Sequence, residues 1–549
     1  MSDSLSRRTL LRSIAAGGAV VAAPSLLIGC SSSSSSGDAI GNEGAELVPW
    51  PAYLPFQGPK PDLAPTAEGV RAGYLTYPSE LKRAGTEKPG DGSTIKVMSI
   101  TYGTPPRSRD ENKYWQLVEW ELGVKIEFTA VPAADQPNKF ATMMASDDIP
   151  DIINTGGGNP LPREVQFVRS RCADLSEHLS GDAIKDYPNL ANIPTRAWSD
   201  AGRIGGKLYC VPVERPLLGH CMFTNQEAFD KAGYRPGMSS ADFLALAKTG
   251  SLGKKALLGA SMENVYGYQV HGVWHGAPNI WGLDGDQVVS AYGTEEFKAA
   301  VAYMAELRKA GDYFKDSMAT SQVDLKTLFA NGTVLSMTDG VMASLPAMQA
   351  NKGAYTVGTA LAYTPQGAKS AYMASRATFG YTVLRKASKE RVQLLLRVLD
   401  FLASPFGTEE YEKIHYGVEG VHFKRDKDNN PIATESGLID NKISLPVTNL
   451  SDAPTPLYLP GFPEETKALH AYESKVIPLM SRDAHWGLQS ETFNRDGANL
   501  TKFIKDSIAG VVSGRKSLGD WDKAVEKWRS DGGARCEEEF TKEYVAAKA

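Results

Sequence analysis

Strand-like and helix-like segments alternate from Thr94 to Thr155, and this alternation limits the possible folds more than any other feature. The segments are a strand TIKVMSI, a helix from Lys113 to Gly123, a strand VKIEFTAVP, a helix from Asn138 to Ser146 and a strand in DIPDIIN. Because helices join and cover parallel strands, this order predicts an α/β fold with a parallel sheet. Such sheets bind ligands beyond the carboxyl ends of their strands, so Tyr102 and Thr155 are candidate ligand residues.

Composition and charge argue against a nucleic-acid partner. The 549 residues are 42% hydrophobic and carry a net charge of −5, with an isoelectric point near 6.0. Nucleic-acid-binding domains usually present a strongly basic face, so no nucleic-acid partner is expected. The length allows two domains of ordinary size.

The N-terminal residues have the features of an export and lipidation signal. Two arginines at positions 7 and 8 precede an apolar stretch that ends in LIGC at Cys30. The first part resembles a twin-arginine (Tat) export signal and the second resembles a bacterial lipobox. Residues 1–29 are therefore predicted to be a signal peptide, and residues 30–93 a lipidated (for example palmitoylated) cysteine with a serine-rich tether and an irregular lead-in. This places the protein on the extracytoplasmic face of the cell membrane. The alternative is an ordinary secretory signal with a chance cysteine.

The stretch from Gly205 to Lys248 predicts two strands followed by two helices. It reads GGKLYCVPVERPLLGHCMFTNQEAFDKAGYRPGMSSADFLALAK. Asn225 is suited to cap a helix that ends at Gly233, and Ser239 or Ser240 to cap the next one. With the later segments HYGVEGVHFKRDKDNNPI and NLTKFIKDSIAGVVSGRKSLGDWDKAVEKWRSDGG, this text resembles family 1 of the bacterial extracellular solute-binding proteins, in its larger lipoprotein branch.

The resemblance implies a type II periplasmic-binding-protein-like fold, with two hinge-connected lobes and a ligand cleft between them. The implied lobes are residues 94–219 plus 376–416 and residues 220–375 plus 417–549. It also implies a monomeric binding protein that is not an enzyme and has no cofactor. Its ligand would be a carbohydrate, expected to be an oligosaccharide, captured by lobe closure and passed to the permease subunits of an ABC importer.

Two other functions remain open at this point. A lipid-anchored, secreted glycan-cleaving enzyme would need two carboxylates about 5 Å or about 6.5–9.5 Å apart in a cleft. A receptor domain that serves a sensor or an adhesin is the other. No G-x-S-x-G, P-loop or zinc-enzyme motif occurs in the sequence. Uronate and neutral oligosaccharides are both possible ligands.

Three motifs suggest metal sites or disulfides. His271 and His275 have the i,i+4 spacing of zinc ligands, but the surrounding glycines and proline predict a loop, so no metal is expected. The text from Asp426 begins like a calcium loop, yet Pro431 stands where that loop needs glycine, so a solvated hairpin tip is predicted. Cysteines at positions 172, 210, 221 and 536 are predicted to be buried thiols, with a disulfide near the hinge as the alternative.

The ligand surface is predicted from rings and polar groups in loops, because sugars offer flat CH faces and hydroxyls. The text HGVWHGAPNIW is interpreted as a loop, and Trp274 or Trp281 is expected to stack on a sugar ring. The resemblance adds Glu214 and Arg215 at the first hinge. It also adds Arg376, at the point where the chain crosses back to the first lobe (the return crossing). The full set is Tyr102, Thr155, Glu214, Arg215, Tyr266, Trp274, Trp281, Asp339, Arg376 and Trp486. The alternative for any of these rings is burial in a core.

Overall fold

The computed structural model describes residues 40–85, 88–156, 161, 163–246, 253 and 255–548. The predicted signal peptide, Cys30 and the serine tether lie outside these ranges. Within them, no helix combines the length and the apolar character needed to cross a membrane.

The strands of the described chain are numbered in order. They are β1 (Gly73–Tyr74), β2 (Thr94–Thr101), β3 (Lys125–Pro132), β4 (Ile152–Asn154), β5 (Cys210–Glu214), β6 (His220–Asn225), β7 (Trp281–Asp284), β8 (Gln287–Ser290), β9 (Ser336–Gly340), β10 (Val357–Ala360), β11 (Tyr372–Met373), β12 (Thr378–Leu384), β13 (Phe423–Arg425), β14 (Pro431–Ala433), β15 (Leu457–Tyr458) and β16 (Met480–Ser481).

The α-helices are numbered in the same way. They are α1 (Lys113–Leu122), α2 (Gln136–Met144), α3 (Glu164–Arg171), α4 (Ser176–Leu179), α5 (Pro188–Ala191), α6 (Thr195–Ala201), α7 (Gln226–Ala232), α8 (Ser240–Ala245), α9 (Tyr268–Trp274), α10 (Glu295–Ala310), α11 (Gln322–Ala330), α12 (Ser344–Asn351), α13 (Lys389–Leu402), α14 (Glu409–Tyr416), α15 (Glu435–Ile439), α16 (Pro463–Val476), α17 (Glu491–Val512), α18 (Leu518–Trp528) and α19 (Ala534–Lys548).

A five-stranded sheet with the order β3-β2-β4-β12-β5 confirms the α/β prediction. Strands β3, β2 and β4 are parallel, and β12 runs antiparallel to β4 and β5. Apolar residues of α1 and α13 form the core on one face of the sheet, and those of α2 and α3 form the core on the other. The β-α-β-α-β order read from the sequence therefore gives the parallel half of the sheet.

Helix α1 illustrates how local sequence sets these elements. The Asn112 side chain accepts a hydrogen bond from the Trp115 backbone N–H at 2.9 Å and so caps the helix start. Gly123 ends the helix with φ of 65°, a left-handed conformation that glycine adopts at low cost. Between these ends, Trp115, Val118 and Leu122 recur at helical spacing, form an apolar stripe and are buried.

A second sheet has three antiparallel strands in the order β10-β6-β9. Its core also takes residues from α9, α10 and the C-terminal helices α17, α18 and α19. Strands β7 and β8 form an antiparallel hairpin in the segment GLDGDQVVSAY. Helix α10 follows it, and the Thr294 hydroxyl caps this helix by accepting from the Phe297 N–H at 3.2 Å.

The loop predicted around His271 is wrong, because residues Tyr268–Trp274 form helix α9. Gly272 lies inside this helix, and a Cβ at that position would be 3.3 Å from the ring of Phe297 on α10. The glycine therefore allows two helices to pack closely, instead of marking a loop. Since α9 packs in the core of the second sheet, His271 and Trp274 are buried.

Two chain crossings between the sheets lie side by side. The Gly219 N–H donates to the Met373 carbonyl at 3.1 Å, and the Ser375 N–H donates to the Leu217 carbonyl at 2.7 Å. A Cβ on Gly219 would lie 2.8 Å from that Met373 oxygen, so the pairing leaves no room for a side chain. This paired segment, which we call the crossing pair, lies where the hinge was predicted.

The division into two lobes stays a prediction, and one stretch packs differently from it. Leu445, Val447 and Leu450 were assigned to the second lobe, but they are buried in the core of the first sheet. The chain between α15 and β15 is thus part of the first-sheet side.

Residues 40–50, which we call the strap, connect distant parts of the chain. Asn42 Nδ2 donates to Glu543 Oε2 on α19 at 3.0 Å and to the Arg203 carbonyl at 3.1 Å. The Gly206 N–H donates to Asn42 Oδ1 at 2.9 Å, and the Arg203 guanidinium lies 3.6 Å from the centre of the Trp50 ring. The irregular lead-in is therefore held to the body of the protein at its start.

Candidate functional site

Tyr102, Phe379 and Arg215 form a wall at one edge of the first sheet. Tyr102 follows β2 and Arg215 follows β5, while Phe379 lies near the start of the antiparallel strand β12. Because β12 runs the opposite way, its first residues reach the edge at which β2 and β5 end. The ring centres of Tyr102 and Phe379 are 6.2 Å apart, and the Arg215 guanidinium lies 4.7 Å from the centre of the Phe379 ring.

Tyr102 has the surroundings of a residue in a cleft. Its side chain is 46% exposed. Burial by the neighbouring protein mass raises the pKa of Tyr102 to about 12, and the negative charge of Asp339 acts in the same direction. A ring that is open to water but surrounded by protein is suited to contact a ligand.

A charged network lies beside this wall. The Thr101 hydroxyl donates to the Ile443 carbonyl at 2.8 Å, which holds the neighbouring Lys442 over the end of β2. Lys442 Nζ is 2.5 Å from His415 Nδ1, and His415 Nε2 is 3.0 Å from Asp452 Oδ1. Burial, together with the Lys442 charge, lowers the pKa of His415 to about 4. The neutral imidazole therefore accepts from Lys442 and donates to Asp452.

The pKa values of the cations and of the carboxylate in this network are lowered for different reasons. Burial acts to raise the pKa of Asp452, but His415, Lys442 and Arg215 outweigh it and lower that pKa, so Asp452 is ionised. Burial lowers the pKa of both Lys442 and Arg215. Two desolvated cations thus share the neighbourhood of Asp452.

The opposite wall is centred on Asp339, at the end of β9. Its carboxylate accepts from Gln322 Nε2 at 3.0 Å and lies 3.3 Å from Lys326 Nζ. The same charge affects the pKa of Tyr102 on the first wall and that of His220 on β6, although burial dominates and lowers the pKa of His220. Asp339 therefore connects the two walls electrostatically.

Two more charges lie on this second wall. Burial lowers the pKa of Lys505 on α17, and the charge of Glu263 opposes that effect. Glu263 also acts on the pKa of Tyr102 across the cleft.

Glu214 supports the wall from inside. Its side chain is buried and accepts from Arg196 Nη2 at 2.6 Å and from the Thr455 N–H at 3.2 Å. Burial raises its pKa above the ordinary range for a glutamate, against the effect of Arg196. Because successive residues at a strand end point to opposite sides, Glu214 faces the interior and Arg215 the cleft.

Thr155, Arg376 and Trp486 lie in other places. The Thr155 hydroxyl donates to the Tyr381 carbonyl at 3.1 Å, and both residues contact Glu164, whose pKa is raised by burial. Arg376 Nε donates to the Asp200 carbonyl at 2.9 Å. Trp486 is half-buried, with the Arg482 guanidinium 5.5 Å from its ring centre. No described contact joins these three residues to Tyr102.

The remaining predicted rings belong to the core of the second sheet. Tyr266, Trp274 and Trp281 are 3%, 1% and 2% exposed. Trp274 packs edge-on against Tyr363, and Trp281 packs against Phe540 on α19 with ring centres 5.1 Å apart. Their faces are occupied by other side chains in this structure. Of the ten predicted residues, the structure brings together Tyr102, Arg215 and Asp339 at the cleft.

Sequence reasoning missed Phe379, Lys442 and Lys505. A signal existed only for Phe379, because it lies three residues after the candidate Arg376 in the apolar segment that forms β12. Lys442 and Lys505 lie outside any motif, and only the fold brings them to the cleft.

The alternative motifs form structural contacts. His271 is hydrogen-bonded through both nitrogens, with Nδ1 2.9 Å from the Tyr363 hydroxyl and Nε2 3.1 Å from the Tyr313 hydroxyl. Asp426 Oδ1 accepts from the Asn430 N–H at 2.8 Å in the turn between β13 and β14, as predicted for a hairpin tip. In the ranges that the structure covers, no group of three or more His, Cys, Asp or Glu side chains is placed to hold a metal ion. The four described cysteines are buried free thiols, as predicted.

A second concave surface lies between β10, α7, α12 and α16. This groove has a volume of about 500 Å³ and a floor that includes Phe223, Met348 and Tyr472. Asp230 and Glu464 stand on its rim. It shares no lining residue with the wall around Tyr102.

Sequence comparison finds relatives along most of the chain. A family model described as bacterial extracellular solute-binding protein matches residues 119–411. The polygalacturonan/rhamnogalacturonan-binding protein YtcQ of Bacillus subtilis is 26% identical over 479 residues, which cover 84% of this chain and 93% of that protein. Lipoprotein LipO of the same organism is 23% identical over 491 residues, which cover 84% of this chain and 94% of LipO.

Solved structures share the fold at lower identity. The alginate-binding protein AlgQ2 superposes with a TM-score of 0.63 at 15% identity, over 85% of this chain and 100% of that one. The N-glycan transport solute-binding protein of Streptococcus pneumoniae superposes with a TM-score of 0.59 at 15% identity, over 83% of this chain and 100% of that one.

Proposed function

The chain belongs to the bacterial extracellular solute-binding proteins, the binding components of ABC transporters, and we propose that it captures an oligosaccharide and delivers it to a permease. Members of this family bind their solutes without transforming them, so no catalytic residue is assigned. Names that refer to carbohydrates are carried by YtcQ, with polygalacturonan and rhamnogalacturonan, by AlgQ2, with alginate, and by the pneumococcal protein, with N-glycans. These names support a carbohydrate ligand for this chain.

The observation that carries the proposal is the pair of rings at the edge of the first sheet. The ring centres of Tyr102 and Phe379 lie 6.2 Å apart, next to Arg215, and the charge of Asp339 on the second sheet acts on the pKa of Tyr102. Rings bind the CH faces of sugars, and charged or polar groups bind the hydroxyls. Such a combination suits a ligand with many hydroxyl groups.

Capture would work by closure of two lobes about the crossing pair. We assign residues 94–219 plus 376–416 to one lobe and the remainder from 220 to the other, with the stretch around Leu445 moved to the first because of its packing. A ligand that touches both Tyr102 and Asp339 binds the closed form better than the open form, and so shifts the equilibrium toward closure. The closed surface would then be offered to the permease.

The anchor is the second part of the proposal. Cys30 would carry the lipid and hold the protein on the extracytoplasmic face of the membrane after Tat export, and the name of lipoprotein LipO supports this. Cys30→Ala should move the protein from the membrane fraction to the soluble fraction of the expressing cells. A variant that still fractionates with the membrane would contradict the anchor, and the Cys172→Ala variant serves as the control.

Thermal shifts with a panel of oligosaccharides test the ligand class. A true ligand raises the melting temperature once its concentration exceeds Kd. At 100 times Kd it adds about 2.7 kcal/mol to the free energy of unfolding. Chromatography of the same mixtures should show unchanged oligosaccharide. If no carbohydrate shifts the melting temperature, or if products appear, the proposed function is wrong.

A further inference from the structure

The cations Arg215 and Lys442 on the first wall lack carboxylate partners. Among the described residues, neither has a carboxylate oxygen within 4.0 Å. Arg215 Nη1 donates to the Glu214 carbonyl at 2.9 Å. Lys442 Nζ lies 2.5 Å from Nδ1 of the neutral His415, its one hydrogen-bond partner in the part of the chain that the structure describes. Both side chains keep further N–H groups that can be donated, and both are half-buried rather than free in solvent.

The nearby carboxylates do not balance these two charges. Glu214 is buried against Arg196, at 2.6 Å. Within the described residues, Asp452 is the other acid whose charge acts on Arg215, and its Oδ1 accepts from His415 and from the Ala453 N–H. Two cations therefore share one carboxylate, which leaves this wall with an excess of positive charge.

The opposite wall has no such excess. Asp339 pairs with Lys326 at 3.3 Å, and Lys505 is offset by the charge of Glu263. Holding partly buried cations without partners is costly for a folded protein. These two cations lie beside the rings of Tyr102 and Phe379. A negatively charged ligand that binds there would offset the cost of burying them.

We propose that the cleft selects an acidic oligosaccharide, with a uronate carboxylate bound between Arg215 and Lys442 and its sugar ring packed on Tyr102 or Phe379. A guanidinium binds a carboxylate through two parallel hydrogen bonds, and the ammonium supplies a further charged donor. The inference rests on the proposed carbohydrate capture and narrows its substrate class.

The test compares acids with their own neutral esters. Trisaccharides of galacturonate, mannuronate and glucuronate, each as the free acid and as the methyl ester, are titrated by calorimetry into the full-length protein, with maltotriose, cellotriose and mannotriose as neutral probes. We expect at least one free acid to bind at least tenfold more tightly than its ester and than every neutral probe. Acetate at the same concentration should not compete.

The outcomes separate this inference from the proposed function. If an ester or a neutral probe binds as tightly as the best acid, the carboxylate site is wrong while carbohydrate capture stands. If no saccharide of either kind binds, both are wrong. If acetate alone competes equally, the site is one for small anions and the saccharide assignment falls.

A variant tests the assigned residues. Lys442→Met should weaken binding of the acid at least tenfold and change binding of its ester less than twofold, because methionine keeps most of the unbranched apolar side chain but not the charge. Without ligand, its melting temperature should be unchanged or higher, since a half-buried ammonium without a carboxylate partner is removed. Lys467→Met is the matched control, because Lys467 is exposed and pairs with Glu464 outside the cleft.

A structural role would give a different pattern. If Lys442→Met lowers the melting temperature and weakens acid and ester equally, or weakens neither, the assignment is overturned. Should this variant fail to fold, Arg215→Gln provides the same comparison, and the acid-to-ester ratio of the unmodified protein decides the matter without any variant.

Discussion

At the scale of single residues, His271 is a neutral imidazole in an aromatic core. Burial, and next to it the charge of His275, lowers the pKa of His271 to about 3 from an ordinary value of 6.5. The groups that face it are Trp274, His275 and the hydroxyls of Tyr313 and Tyr363. Above pH 6.5 the ring is neutral in both states, so its contribution to stability is fully present there. Below pH 6.5 only the unfolded chain takes up the proton, so stability falls as the pH falls toward 3.

This difference predicts a pH dependence that one substitution reduces. Between pH 7 and pH 4.5 the free energy of unfolding should fall by on the order of 1–3 kcal/mol through His271, at 1.36 kcal/mol per pKa unit. His271→Gln should lower stability at pH 7 but lose less than the unmodified protein between the two pH values. Urea denaturation at both pH values measures this difference, with the half-buried His470→Gln variant as the control. Equal losses in His271→Gln and the unmodified protein would contradict the assignment.

Tyr102 and Trp281 should respond differently to replacement by alanine. Trp281 is 2% exposed and packs against Phe540, so Trp281→Ala should cost roughly 3–5 kcal/mol of stability through the cavity that it leaves. Tyr102 is 46% exposed, so Tyr102→Ala should change stability by less than about 1 kcal/mol and weaken ligand binding about tenfold or more. Denaturation and calorimetry on both variants test this. A stable Trp281→Ala protein that binds tenfold more weakly would restore the stacking role first predicted for Trp281.

The difference between these two rings also marks what sequence can predict about a site. Tyr102 follows a predicted strand, and the rule that ligands bind beyond strand ends finds it without knowledge of packing. Arg215 was predicted from the hinge position that the family resemblance implies. Lys442 approaches Tyr102 only because the chain around Ile443 folds over the end of β2. No local pattern encodes that contact, since it joins residues more than 300 positions apart in the chain.

At the scale of elements, the strap depends on Asn42. Its side chain bridges Glu543 on α19 and the loop at Gly206, with hydrogen bonds of 2.9–3.1 Å. Glu543 is 6% exposed and also accepts from the Asn42 N–H at 2.6 Å. Removal of the amide leaves a buried carboxylate with fewer donors, which is costly.

We therefore expect Asn42→Ala to lower stability by roughly 1–3 kcal/mol. It should also speed proteolysis within the strap, because the segment loses its attachments to both α19 and the loop. Chemical denaturation measures the first effect. Limited digestion with a glutamyl endopeptidase, which can cleave the strap after Glu43 and Glu46, measures the second. The exposed Glu538→Ala on α19 is the control. If Asn42→Ala matches Glu538→Ala in both assays, the strap is not held by this residue.

Helix ends could be predicted because their capping contacts are local. Helix α9 could not be predicted, because tertiary packing determines it. Asn112, Asn225 and Ser388 cap helices through side chains that bond their own next turn, and that chemistry is visible in the sequence. In the sequence, Gly272 is typical of a loop. In the structure, a Cβ at this position would lie 3.3 Å from the Phe297 ring on α10. Packing between distant helices, which no local pattern encodes, decided this element.

At the scale of the whole molecule, the two sheets are joined by the crossing pair. The bonds from Gly219 to Met373 and from Ser375 to Leu217 hold the two crossings side by side, so motion of one sheet relative to the other must bend both together. The family resemblance predicts crossings between lobes near these positions, and the lobe division stays a prediction. The resemblance could not predict that they would be in direct contact, because that depends on the relative position of the two sheets.

Gly219→Ala tests whether the crossing pair sets the closed geometry. The added Cβ would lie 2.8 Å from the Met373 carbonyl and 3.0 Å from the Ser375 nitrogen, so the two crossings must separate. Because ligand affinity requires Tyr102 and Asp339 at their proper distance, the variant should bind the best oligosaccharide at least tenfold more weakly. Small-angle X-ray scattering should show ligand-induced compaction of the unmodified protein and less of it in the variant. Gly85→Ala, with nothing within 4 Å of the added carbon, is the control. A Gly219→Ala protein that binds and compacts like Gly85→Ala would show that closure does not depend on the crossing pair.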